Sequence, residues 1–326
     1  MRVLVTGGAG FIGSHLVDLL VARGDQVVVL DDLSTGRLEN LSQHEETGAV
    51  RTVVDTVLSA DVLDELIRDS DLVVHLAAAV GVKYVIEHPL QSMRVNIRGT
   101  ENVLESADRH ETRVILFSTS EIYGKAAVVP FKEDSDRVLG STTVQRWSYS
   151  TAKAVDEILA LAYHRERDLP VQIVRCFNTC GPRQRGRYGM VVPRFVRAAL
   201  AGDPISVHGD GQQSRCFGSV FDVVEGVVSL IDCDRAWGQI FNLGNDEEVT
   251  ILQLAERVKK LTDSDSPIEL IPYDQAFSAG FEDMRRRVPS LVKIGEYIGY
   301  RPTRSLDDIL LGVIESFRGA ESVAVL

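Results

Sequence analysis

The sequence predicts an α/β fold built on a doubly wound parallel sheet, with a smaller α/β lobe formed by the C-terminal part of the chain. Through the first half, short β-branched runs alternate with segments of helical periodicity, which is the pattern of successive βαβ units. The strand-like runs are apolar almost throughout, as in strands whose two faces are both covered by helices. The first run leads directly into a glycine-rich turn and a helix, as the first unit of such a sheet does.

In the first half of the chain, strands and helices alternate regularly. The strands are short β-branched runs, and the helices between them repeat apolar residues at helical spacing. The strands are predicted at Arg2–Thr6, Gln26–Leu30, Arg51–Val54, Leu72–His75, Arg113–Ser118 and Val171–Cys176. The helices are predicted at Phe11–Arg23, Leu63–Asp69, Met93–Arg109 and Tyr149–Arg167.

After Asn178 the pattern changes, because Gly181–Gly189 is rich in glycine and arginine and cannot be a core element. Gln239–Leu243 is predicted to be a strand that returns to the main sheet. The other elements predicted here are helices Val192–Ala201, Val220–Ile231, Ile251–Leu261 and Leu306–Phe317 and strands Ile205–Val207 and Ile268–Ile271. We therefore expect two lobes without a clean boundary, residues 1–178 with 213–243 and residues 179–212 with 244–326.

Composition and charge exclude several classes of protein. The chain has 326 residues, 44% of them apolar and 25% charged, which is the balance of a folded globular protein of about two domains. Its net charge of −12 argues against binding to nucleic acid or to an anionic membrane. No apolar run approaches the roughly 20 residues that span a bilayer, and the first residues lack the features of a signal peptide. We therefore expect a cytoplasmic protein.

Metal sites and disulfides are not expected from the sequence. The seven histidines are scattered and form no HExxH motif. The cysteines form no CxxC pair and have no histidines clustered beside them. They are Cys176, Cys180, Cys216 and Cys233.

The turn after the first predicted strand carries a phosphate-binding pattern. Gly7, Gly10 and Gly13 form GxxGxxG directly before a helix. Such glycines let the backbone approach a pyrophosphate, to which the helix N-terminus offers unpaired N–H groups. A glycine triplet alone also fits an ordinary turn, but here Asp31 ends the second strand region 24 residues after Gly7. A carboxylate there can accept hydrogen bonds from both ribose hydroxyls and repels a 2′-phosphate, so the sequence predicts NAD rather than NADP.

Several segments of the chain resemble one known family. They are TGGAGFIGSH at residues 6–15, Asp31-Asp32-Leu33-Ser34, the HLAAxxG-like His75–Gly81, and Asn96 followed by Gly99-Thr100. Together they resemble the extended short-chain dehydrogenases/reductases. More narrowly, they are similar to the NAD-dependent nucleotide-sugar epimerases, dehydratases and decarboxylases, and the resemblance extends over essentially the whole chain.

The resemblance implies further cofactor contacts and an assembly. Asp55 and Thr56 would flank the adenine, and the nicotinamide side of the pocket would be lined by Ala77, Ala78 and Lys83. The other implied contacts are Phe11, Ile12, Asp32, Ser34 and Asn96. Residues 1–178 with 213–243 would form the NAD-binding domain, and the rest would form the nucleotide-sugar-binding lobe. By the resemblance alone, the helices predicted at Met93–Arg109 and Tyr149–Arg167 pair with their counterparts in a homodimer.

A YxxxK motif begins at Tyr149 and ends at Lys153. Residues four apart lie on one face of a helix, so the two side chains are expected side by side. The lysine ammonium and the positive end of bound oxidised nicotinamide are expected to lower the pKa of the tyrosine, which can then act as general base. Lys153 can also reach the nicotinamide ribose. An exposed helical Tyr/Lys pair is the alternative, and the preceding dinucleotide fingerprint argues against it.

A third element, STSEIYG at residues 118–124, lies at the carboxyl end of a predicted parallel strand, where open α/β sheets place their sites. By the resemblance, the Thr119 hydroxyl binds the sugar oxygen that Tyr149 deprotonates. Ser120 stands where the 4,6-dehydratases have an aspartic acid, which disfavours dehydration. Glu121 makes the segment similar to enzymes that decarboxylate UDP-glucuronate, although such a carboxylate also suits the capping of a nearby backbone.

Arginines and one asparagine are candidate ligands of the substrate. RCFNTCGPR at residues 175–183 matches the RxFNxxGPR of the family, in which Asn178 approaches the substrate diphosphate, and Arg215 aligns with the arginine that pairs with it. Two basic clusters in an acidic protein suggest a site for a small, multiply charged anion. A solvated charge run is the alternative for each of these arginines. The clusters are Arg183, Arg185 and Arg187, and Arg285, Arg286 and Arg287.

Some of these arginines carry specific expectations. Arg287 lies in EDMRRRVP, which is similar to the D…RxPD segment of UDP-glucuronate decarboxylases, whose arginine reaches the sugar ring and helps to protonate carbon 5. Arg185 or Arg187 is expected to contact the carboxylate of a uronate. Arg146-Trp147 is similar to the branch of the family that makes UDP-4-keto-pentose and apiose.

The resemblance implies a first step in which Tyr149 takes the proton of the 4-hydroxyl and NAD takes hydride from carbon 4. Our main interpretation is a UDP-sugar 4-epimerase that converts UDP-glucuronate to UDP-galacturonate. The alternative is a UDP-glucuronate decarboxylase of the UDP-xylose synthase type, which Glu121 and Arg287 favour. A non-enzymatic interpretation is a nucleotide-sensing protein that has lost turnover, against which the presence of Thr119, Tyr149 and Lys153 argues.

Overall fold

The computed structural model describes residues 1–44, 48–186, 190–272, 275 and 284–324, apart from the side chains of residues 82, 83 and 320–324. Its strands are β1 Arg2–Thr6, β2 Gln26–Asp31, β3 Val50–Val54, β4 Leu72–His75, β5 Arg113–Thr119, β6 Val171–Cys176, β7 Thr179–Cys180, β8 Ile205–His208, β9 Ser214–Cys216, β10 Gly218–Ser219, β11 Ile240–Leu243, β12 Glu248–Thr250 and β13 Ile268–Ile271. Its helices are α1 Phe11–Ala22, α2 Ala60–Arg68, α3 Val82–Glu87, α4 Pro89–Met93, α5 Gly99–Arg109, α6 Ser148–Arg167, α7 Val191–Ala201, α8 Val220–Ile231, α9 Ile251–Thr262, α10 Val292–Ile298 and α11 Leu306–Ala324. Within these ranges, no helix combines the length and the apolar character needed to cross a membrane.

Seven strands form the central sheet in the order β3-β2-β1-β4-β5-β6-β11, and every neighbouring pair is parallel. Strand order reverses between β1 and β4, so the loops after these strands diverge and open a crevice at their carboxyl ends. The predicted Rossmann-type doubly wound sheet is confirmed. β11 returns to the sheet as expected and pairs Ile240–Leu243 with residues 173–176 of β6.

The central strand β1 shows why the strand sequences are apolar at positions on both faces of the sheet. Val3 and Val5 lie in the core beneath α1 and α8, whereas Leu4 lies in a second core beneath α2 and α5. All three side chains are fully buried. Burying such a side chain contributes about 1.5–3 kcal/mol, so both faces of the strand stabilise the sheet.

A third hydrophobic core lies among α7, α9, α11 and β8, where Phe195, Leu254 and Leu310 pack together with Val207. β8 pairs in parallel with β13, outside the central sheet. We propose that these elements form the smaller lobe expected from the sequence.

Some helices differ from their predicted bounds. The single helix predicted at Met93–Arg109 is divided, because α4 ends at Met93 and a π-helical turn, Arg94–Arg98, joins it to α5. The helix predicted at Leu63–Asp69 begins earlier, at Ala60. Helices α3, α4 and α10 were not predicted, since segments of five to seven residues are too short to show a helical period.

Candidate active site

The carboxyl ends of four neighbouring strands bring the predicted catalytic segments together. β1 ends at Thr6, β4 at His75, β5 at Thr119 and β6 at Cys176. The strand register pairs Thr6 with His75 and Thr119 with Cys176. The glycine turn follows β1, and STSEIYG continues from β5 into a 3-10 helix at Ser120–Tyr123.

The glycine turn after β1 packs against the loop that follows β4. Gly7 has a φ of +73°, and a Cβ there would lie 2.8 Å from the backbone nitrogen of Ala77. A Cβ at Gly13 would overlap the carbonyl oxygen of Gly7. Gly10 caps α1 without a side-chain hydrogen bond, so the first N–H groups of the helix are available to an anion. This shape fits the pyrophosphate of a dinucleotide.

Asp31, the last residue of β2, holds the glycine turn in place. Its Oδ2 accepts a hydrogen bond from the Ala9 nitrogen and its Oδ1 accepts one from the Leu33 nitrogen, each at 2.9 Å. Burial raises the pKa of this carboxyl, and the backbone hydrogen bonds act in the opposite direction. A carboxylate has about four lone-pair sites, so these two bonds leave acceptors for ribose hydroxyls.

Asn96 fixes the loop after β4. Its Oδ1 accepts a hydrogen bond from the Ala79 nitrogen at 2.8 Å, and its Nδ2 donates to the Ala79 carbonyl at 3.2 Å. The asparagine is buried. Both ends of its amide therefore shape the loop that contains Ala77 and Ala78.

The other residues predicted to hold the cofactor lie around the same edge of the sheet. Asp55 follows β3, and its Oδ1 accepts hydrogen bonds from the Ser59 hydroxyl and the Thr56 nitrogen, each at 2.7 Å. Phe11 and Ile12 form the first turn of α1, Asp32 and Ser34 lie on an exposed loop after β2, and the Lys83 side chain lies outside the described residues.

Tyr149 and Lys153 lie near the start of α6, but their electrostatic relation differs from the prediction. Burial raises the pKa of Tyr149, as do the charges of Glu121 and Asp156, whereas a hydrogen bond with Thr119 lowers it. Nζ of Lys153 lies 2.8 Å from Oδ2 of Asp156. The expected lowering of the tyrosine pKa by the lysine is therefore wrong for the protein's own groups, because the ammonium is paired with a carboxylate.

Glu121 is flanked by two buried arginines. Nη2 of Arg287 donates to Oε1 at 2.6 Å, and Nη2 of Arg146 lies 2.6 Å from Oε2. Burial alone would raise the pKa of Glu121, but the charges of Arg287 and Arg146 lower it to about 2. Nη1 of Arg287 also donates to Ser120 Oγ at 3.4 Å and to Asn178 Oδ1 at 3.3 Å. The cluster therefore joins an ionised carboxylate to two cations and has one net positive charge.

The three consecutive arginines at 285–287 have different surroundings. Arg285 is 82% exposed, with Nη1 3.8 Å from Asp210. Arg286 donates two hydrogen bonds to Glu248, at 2.8 and 2.7 Å. Arg287 is 8% exposed and enters the Glu121 cluster. The two neighbours thus fit the alternative of a solvated charge run, and Arg287 does not.

The remaining predicted arginines lie on the substrate side of the chain. Arg183 forms an ion pair with Asp18 of α1 at 2.9 Å, which ties the loop after β7 to that helix. Arg185 is partly buried in the same loop, and Arg187 lies outside the described residues. Arg215 is buried on β9, and its Nη1 donates to the carbonyl of the preceding residue at 2.8 Å.

Of two further buried residues at the site, Asp156 was not predicted, and Arg146 was singled out only by the resemblance of Arg146-Trp147, with no contact assigned to it. Arg146 lies in a 3-10 helix three residues before Tyr149 and is 6% exposed. Asp156 lies three residues after Lys153 and is fully buried. Helical spacing from the YxxxK motif was the available signal for both, since residues three apart share a face of a helix.

Comparisons with known proteins give consistent matches over nearly the whole chain. The family model described as GDP-mannose 4,6 dehydratase matches residues 4–311. A UDP-N-acetyl-alpha-D-glucosaminuronate decarboxylase of Bacillus cytotoxicus is 41% identical over 323 residues, which are 98% of this chain and 99% of that protein. UDP-glucuronic acid decarboxylase 1 of Arabidopsis thaliana is 37% identical over 321 residues, 98% of this chain and 70% of that protein. The solved structure of UDP-glucuronic acid 4-epimerase from Bacillus cereus, in complex with UDP-glucuronic acid and NAD, is similar with a TM-score of 0.88 and 27% identity, covering 98% of this chain and 100% of that chain.

Proposed function

Since this chain belongs to the GDP-mannose 4,6-dehydratase family of extended short-chain dehydrogenases/reductases, we propose that it is an NAD-dependent decarboxylase of UDP-hexuronates. The observation that carries the proposal is the buried cluster in which Arg146 and Arg287 flank Glu121 at the end of β5. Relatives named as decarboxylases match the chain at 41% and 37% identity. The alternative that Glu121 and Arg287 favoured is therefore better supported than our main interpretation, the 4-epimerase.

NAD fits the turn between β1 and α1. The glycines at 7 and 13 let the turn pack closely against the loop after β4 and against itself. The uncapped start of α1 would then hold the pyrophosphate, and Asp31 would accept hydrogen bonds from the ribose of the adenosine. When bound, NAD would take hydride from carbon 4 of the sugar and return it after decarboxylation. Structures similar to this chain include epimerases in complex with NAD.

Tyr149 and Thr119 would hold the oxygen on carbon 4 of the sugar. Tyr149 takes the proton of the 4-hydroxyl, a role that contributes about 10²–10⁴-fold to the rate. In the protein alone, burial raises the pKa of Tyr149, so the positive charge of bound oxidised nicotinamide would be needed to favour the phenolate that accepts this proton. The phenol then donates a hydrogen bond to the negative charge that develops on the 4-oxygen when carbon dioxide leaves.

The arginine cluster would act on the carboxylate of the hexuronate. This carboxylate is attached to carbon 5 and is β to the ketone at carbon 4, so it can leave as carbon dioxide. Arg146 and Arg287 would orient it by charge-assisted hydrogen bonds. The ionised Glu121 would repel its negative charge and so favour its loss as a neutral molecule. Ser120, which accepts a hydrogen bond from Arg287, would relay to carbon 5 a proton taken from solvent.

Product analysis tests the proposal directly. The purified holoenzyme is incubated separately with UDP-glucuronate and UDP-N-acetylglucosaminuronate, and the products are weighed by mass spectrometry while released carbon dioxide is measured. We expect at least one of the two to lose carbon dioxide. An isobaric product from both, without carbon dioxide, would overturn the decarboxylase and identify a 4-epimerase.

Two neighbouring arginines provide a matched pair of variants. Arg287→Ala removes a charged hydrogen bond to Glu121, and losing such a bond costs about 1.5–3 kcal/mol, so carbon dioxide release should fall by about 10- to 100-fold. Arg286→Ala removes the adjacent guanidinium, which is 55% exposed and pairs with Glu248. Arg286→Ala should leave the rate within about threefold of the wild type. Equal losses in both variants would contradict a role for the cluster.

A 4-epimerase is the second candidate, and the structural similarity to UDP-glucuronic acid 4-epimerase favours it. In such an enzyme, the 4-keto intermediate must rotate so that hydride returns to its other face, and the carboxylate must be retained. Arg185 or Arg187 would then hold the carboxylate near the ring plane, where the breaking bond overlaps poorly with the ketone. In that case, replacing both by alanine should release some carbon dioxide from UDP-glucuronate.

A further inference from the structure

The backbone directly after Arg287 forms a short bridge with Phe131. The Phe131 nitrogen donates to the Val288 carbonyl at 2.8 Å, and the Ser290 nitrogen donates to the Phe131 carbonyl at 2.7 Å. These two bonds make an isolated parallel bridge between Phe131 and Pro289. The bridge begins one residue after Arg287, whose guanidinium enters the charged cluster at the end of β5. The position of the bridge therefore sets where the Arg287 side chain starts.

A buried asparagine of β11 binds the same bridge. Nδ2 of Asn242 donates to the Phe131 carbonyl at 2.9 Å, and the Asn242 nitrogen donates to Oε1 of Glu133 at 2.9 Å. Asn242 and Phe131 are both fully buried. A carbonyl oxygen has two lone pairs, so Asn242 and Ser290 together satisfy the Phe131 carbonyl. The bridge is therefore attached to an edge strand of the central sheet by the side chain of Asn242.

The orientation of the Asn242 amide is fixed by its partners. A carbonyl only accepts, so Nδ2 must face Phe131, and Oδ1 accepts a hydrogen bond from the Tyr123 hydroxyl at 2.6 Å. Burial raises the pKa of Tyr123 to about 12, so the hydroxyl keeps its proton at neutral pH. The oxygen of this hydroxyl accepts from Nη1 of Arg175 at 2.8 Å. The hydrogen bonds thus run in one direction, from Arg175 through Tyr123 and Asn242 to the bridge.

The same framework holds both partners of the Glu121–Arg287 ion pair. Glu121 lies in the 3-10 helix that ends at Tyr123, and Arg287 lies next to the bridge at Phe131. The rings of Tyr123 and Phe131 are stacked with their centroids 4.7 Å apart. The distance between the carboxylate and the guanidinium therefore depends on how firmly Tyr123 and Phe131 are joined, and Asn242 joins them by hydrogen bonds.

We propose that Asn242 is a positioning residue that holds Arg287 against Glu121 through the bridge at Phe131. The proposal rests on the proposed function, in which Arg287 acts on the carboxylate that leaves. Without the bond from Asn242, the bridge and Arg287 would shift, whereas Tyr149 on α6 would keep its place. Decarboxylation should then be impaired, and oxidation at carbon 4 should be preserved.

The first test separates the two steps in a single turnover of the holoenzyme carrying Asn242→Leu, since leucine is close to asparagine in size and lacks the amide. Reduction of bound nicotinamide by the UDP-hexuronate that the wild type decarboxylates should stay within about twofold of the wild-type rate. Release of carbon dioxide should fall by about tenfold, the effect of leaving a buried polar group without its partner. Reduced nicotinamide should therefore accumulate. A merely structural role would slow both steps by the same factor, and that result would overturn the proposal.

Two further variants complete this test. Tyr123→Phe keeps the ring and removes only the hydroxyl that orients Asn242, so it should show the same separation of the two steps with a fall of about threefold. Gln172→Met is the matched control, because this fully buried amide donates to the Leu230 carbonyl at 2.9 Å, away from the bridge, and it should leave both steps within about twofold. If neither Asn242→Leu nor Tyr123→Phe separated the steps, the proposal would be wrong.

A double-mutant cycle shows whether Asn242 acts through Arg287. In the Arg287→Ala background, adding Asn242→Leu should lower carbon dioxide release by less than about twofold, because the group that it positions is already absent. Two falls that multiply would mean that Asn242 acts by another route, and would overturn the proposal.

The last measurement does not depend on activity. Against the effect of burial, the charges of Arg287 and Arg146 lower the pKa of Glu121 to about 2. In protein labelled with ¹³C-glutamate, the Glu121 carboxyl should be ionised at pH 4.5, the ordinary pKa of glutamate, in the wild type and partly protonated in Asn242→Leu. A fully ionised signal in both proteins would contradict the displacement of Arg287. If the wild type released no carbon dioxide from either UDP-hexuronate, the proposed function would fail, and this titration would still decide whether Asn242 positions Arg287.

Discussion

Among single residues, Tyr149 and Glu121 are placed in opposite protonation states by their surroundings. Burial raises the pKa of both groups, and for Tyr149 the nearby carboxylates act in the same direction. For Glu121 the charges of Arg287 and Arg146 outweigh burial and lower the pKa to about 2. The protein's own groups thus favour a protonated phenol and an ionised Glu121, and Tyr149 can act as a base only when the positive charge of bound oxidised nicotinamide favours its phenolate.

Replacing Tyr149 by phenylalanine should leave NAD binding intact and lower turnover by about 10²-fold or more, since it removes a positioned general base and keeps the ring. Carbon dioxide release and calorimetric titration with NAD measure the two effects. Tyr163→Phe, on the same helix, is the matched control and should keep near-normal turnover. Near-normal turnover in Tyr149→Phe would remove this residue from the mechanism.

Glu121 should make the stability of the protein depend on pH in acid. Its folded pKa of about 2 lies below the ordinary value of 4.5, so its stabilising effect is fully present above about pH 4.5 and is lost as the pH falls toward 2. The shift corresponds to an effect on the order of 3 kcal/mol. Urea unfolding of the wild type and Glu121→Gln should therefore give free energies that converge as the pH falls. A constant difference between the two proteins would contradict the assignment.

Among elements, α6 is the one that aligns the site, because its buried side chains bind both β5 and β6. Ser118 of β5 donates to Glu157 Oε1 at 2.5 Å, and Arg175 of β6 donates to the same carboxylate at 2.9 and 2.7 Å. Nη1 of Arg175 also donates to the Tyr123 hydroxyl at 2.8 Å. This network fixes the middle of α6 against β5 and β6, and the Ser150 hydroxyl, which donates to the Glu121 carbonyl at 2.7 Å, fixes the start of the helix.

Breaking the attachment of α6 to β6 should be strongly destabilising. Arg175→Met leaves the buried carboxylate of Glu157 without its cation, and the loss of one partner of a buried pair costs about 3–5 kcal/mol of unfolding free energy. Glu157→Gln on the same background should recover part of the loss. Arg285→Ala, at an exposed position, is the control and should change the urea midpoint little. A small effect of Arg175→Met would show that the network does not anchor the helix.

Across the whole molecule, the net charge is negative, whereas several arginines are buried in the interior. The net charge is −12, while the side chains of Arg146, Arg175 and Arg287 are all at most 8% exposed. The buried guanidiniums therefore create a local positive site inside an acidic protein. The negative surface charge would repel an anionic substrate, so affinity for that substrate must come from the positive groups inside the site.

We propose that the chain forms a homodimer through α5 and α6, as its family resemblance implies. Ile158 of α6 is 59% exposed, which suits a helix face that is covered by a second copy. Sedimentation at micromolar concentration should show a dimer for the wild type and a monomer for Ile158→Arg. Val292→Arg, at an apolar position of α10 that is 67% exposed, should leave the dimer intact. A monomeric wild type would refute the assembly.

Local patterns were sufficient to predict most of the fold and part of the site. The six predicted strands of the first half match β1–β6 to within one residue at each end, because buried strands are continuous apolar runs. The glycine turn and Asp31 were recognisable since their roles depend on backbone shape and on position at a strand end. Helices α3 and α4 and the π-helical turn after them were not predicted, because no period develops over so few residues.

Contacts between residues far apart in the chain could not be read from any local pattern. Arg287 reaches Glu121 across 166 residues; the family resemblance singled out this arginine, but no local pattern indicated that Glu121 is its partner. The raised pKa of Tyr149 likewise follows from burial and from two carboxylates, of which Asp156 pairs with the lysine expected to act on the phenol. Backbone conformation and the spacing of apolar residues depend on residues that are neighbours in the chain, so both can be predicted from the sequence. Burial, charge pairing and protonation depend on which distant groups the completed fold brings within a few ångströms, and the folded structure was needed to identify them.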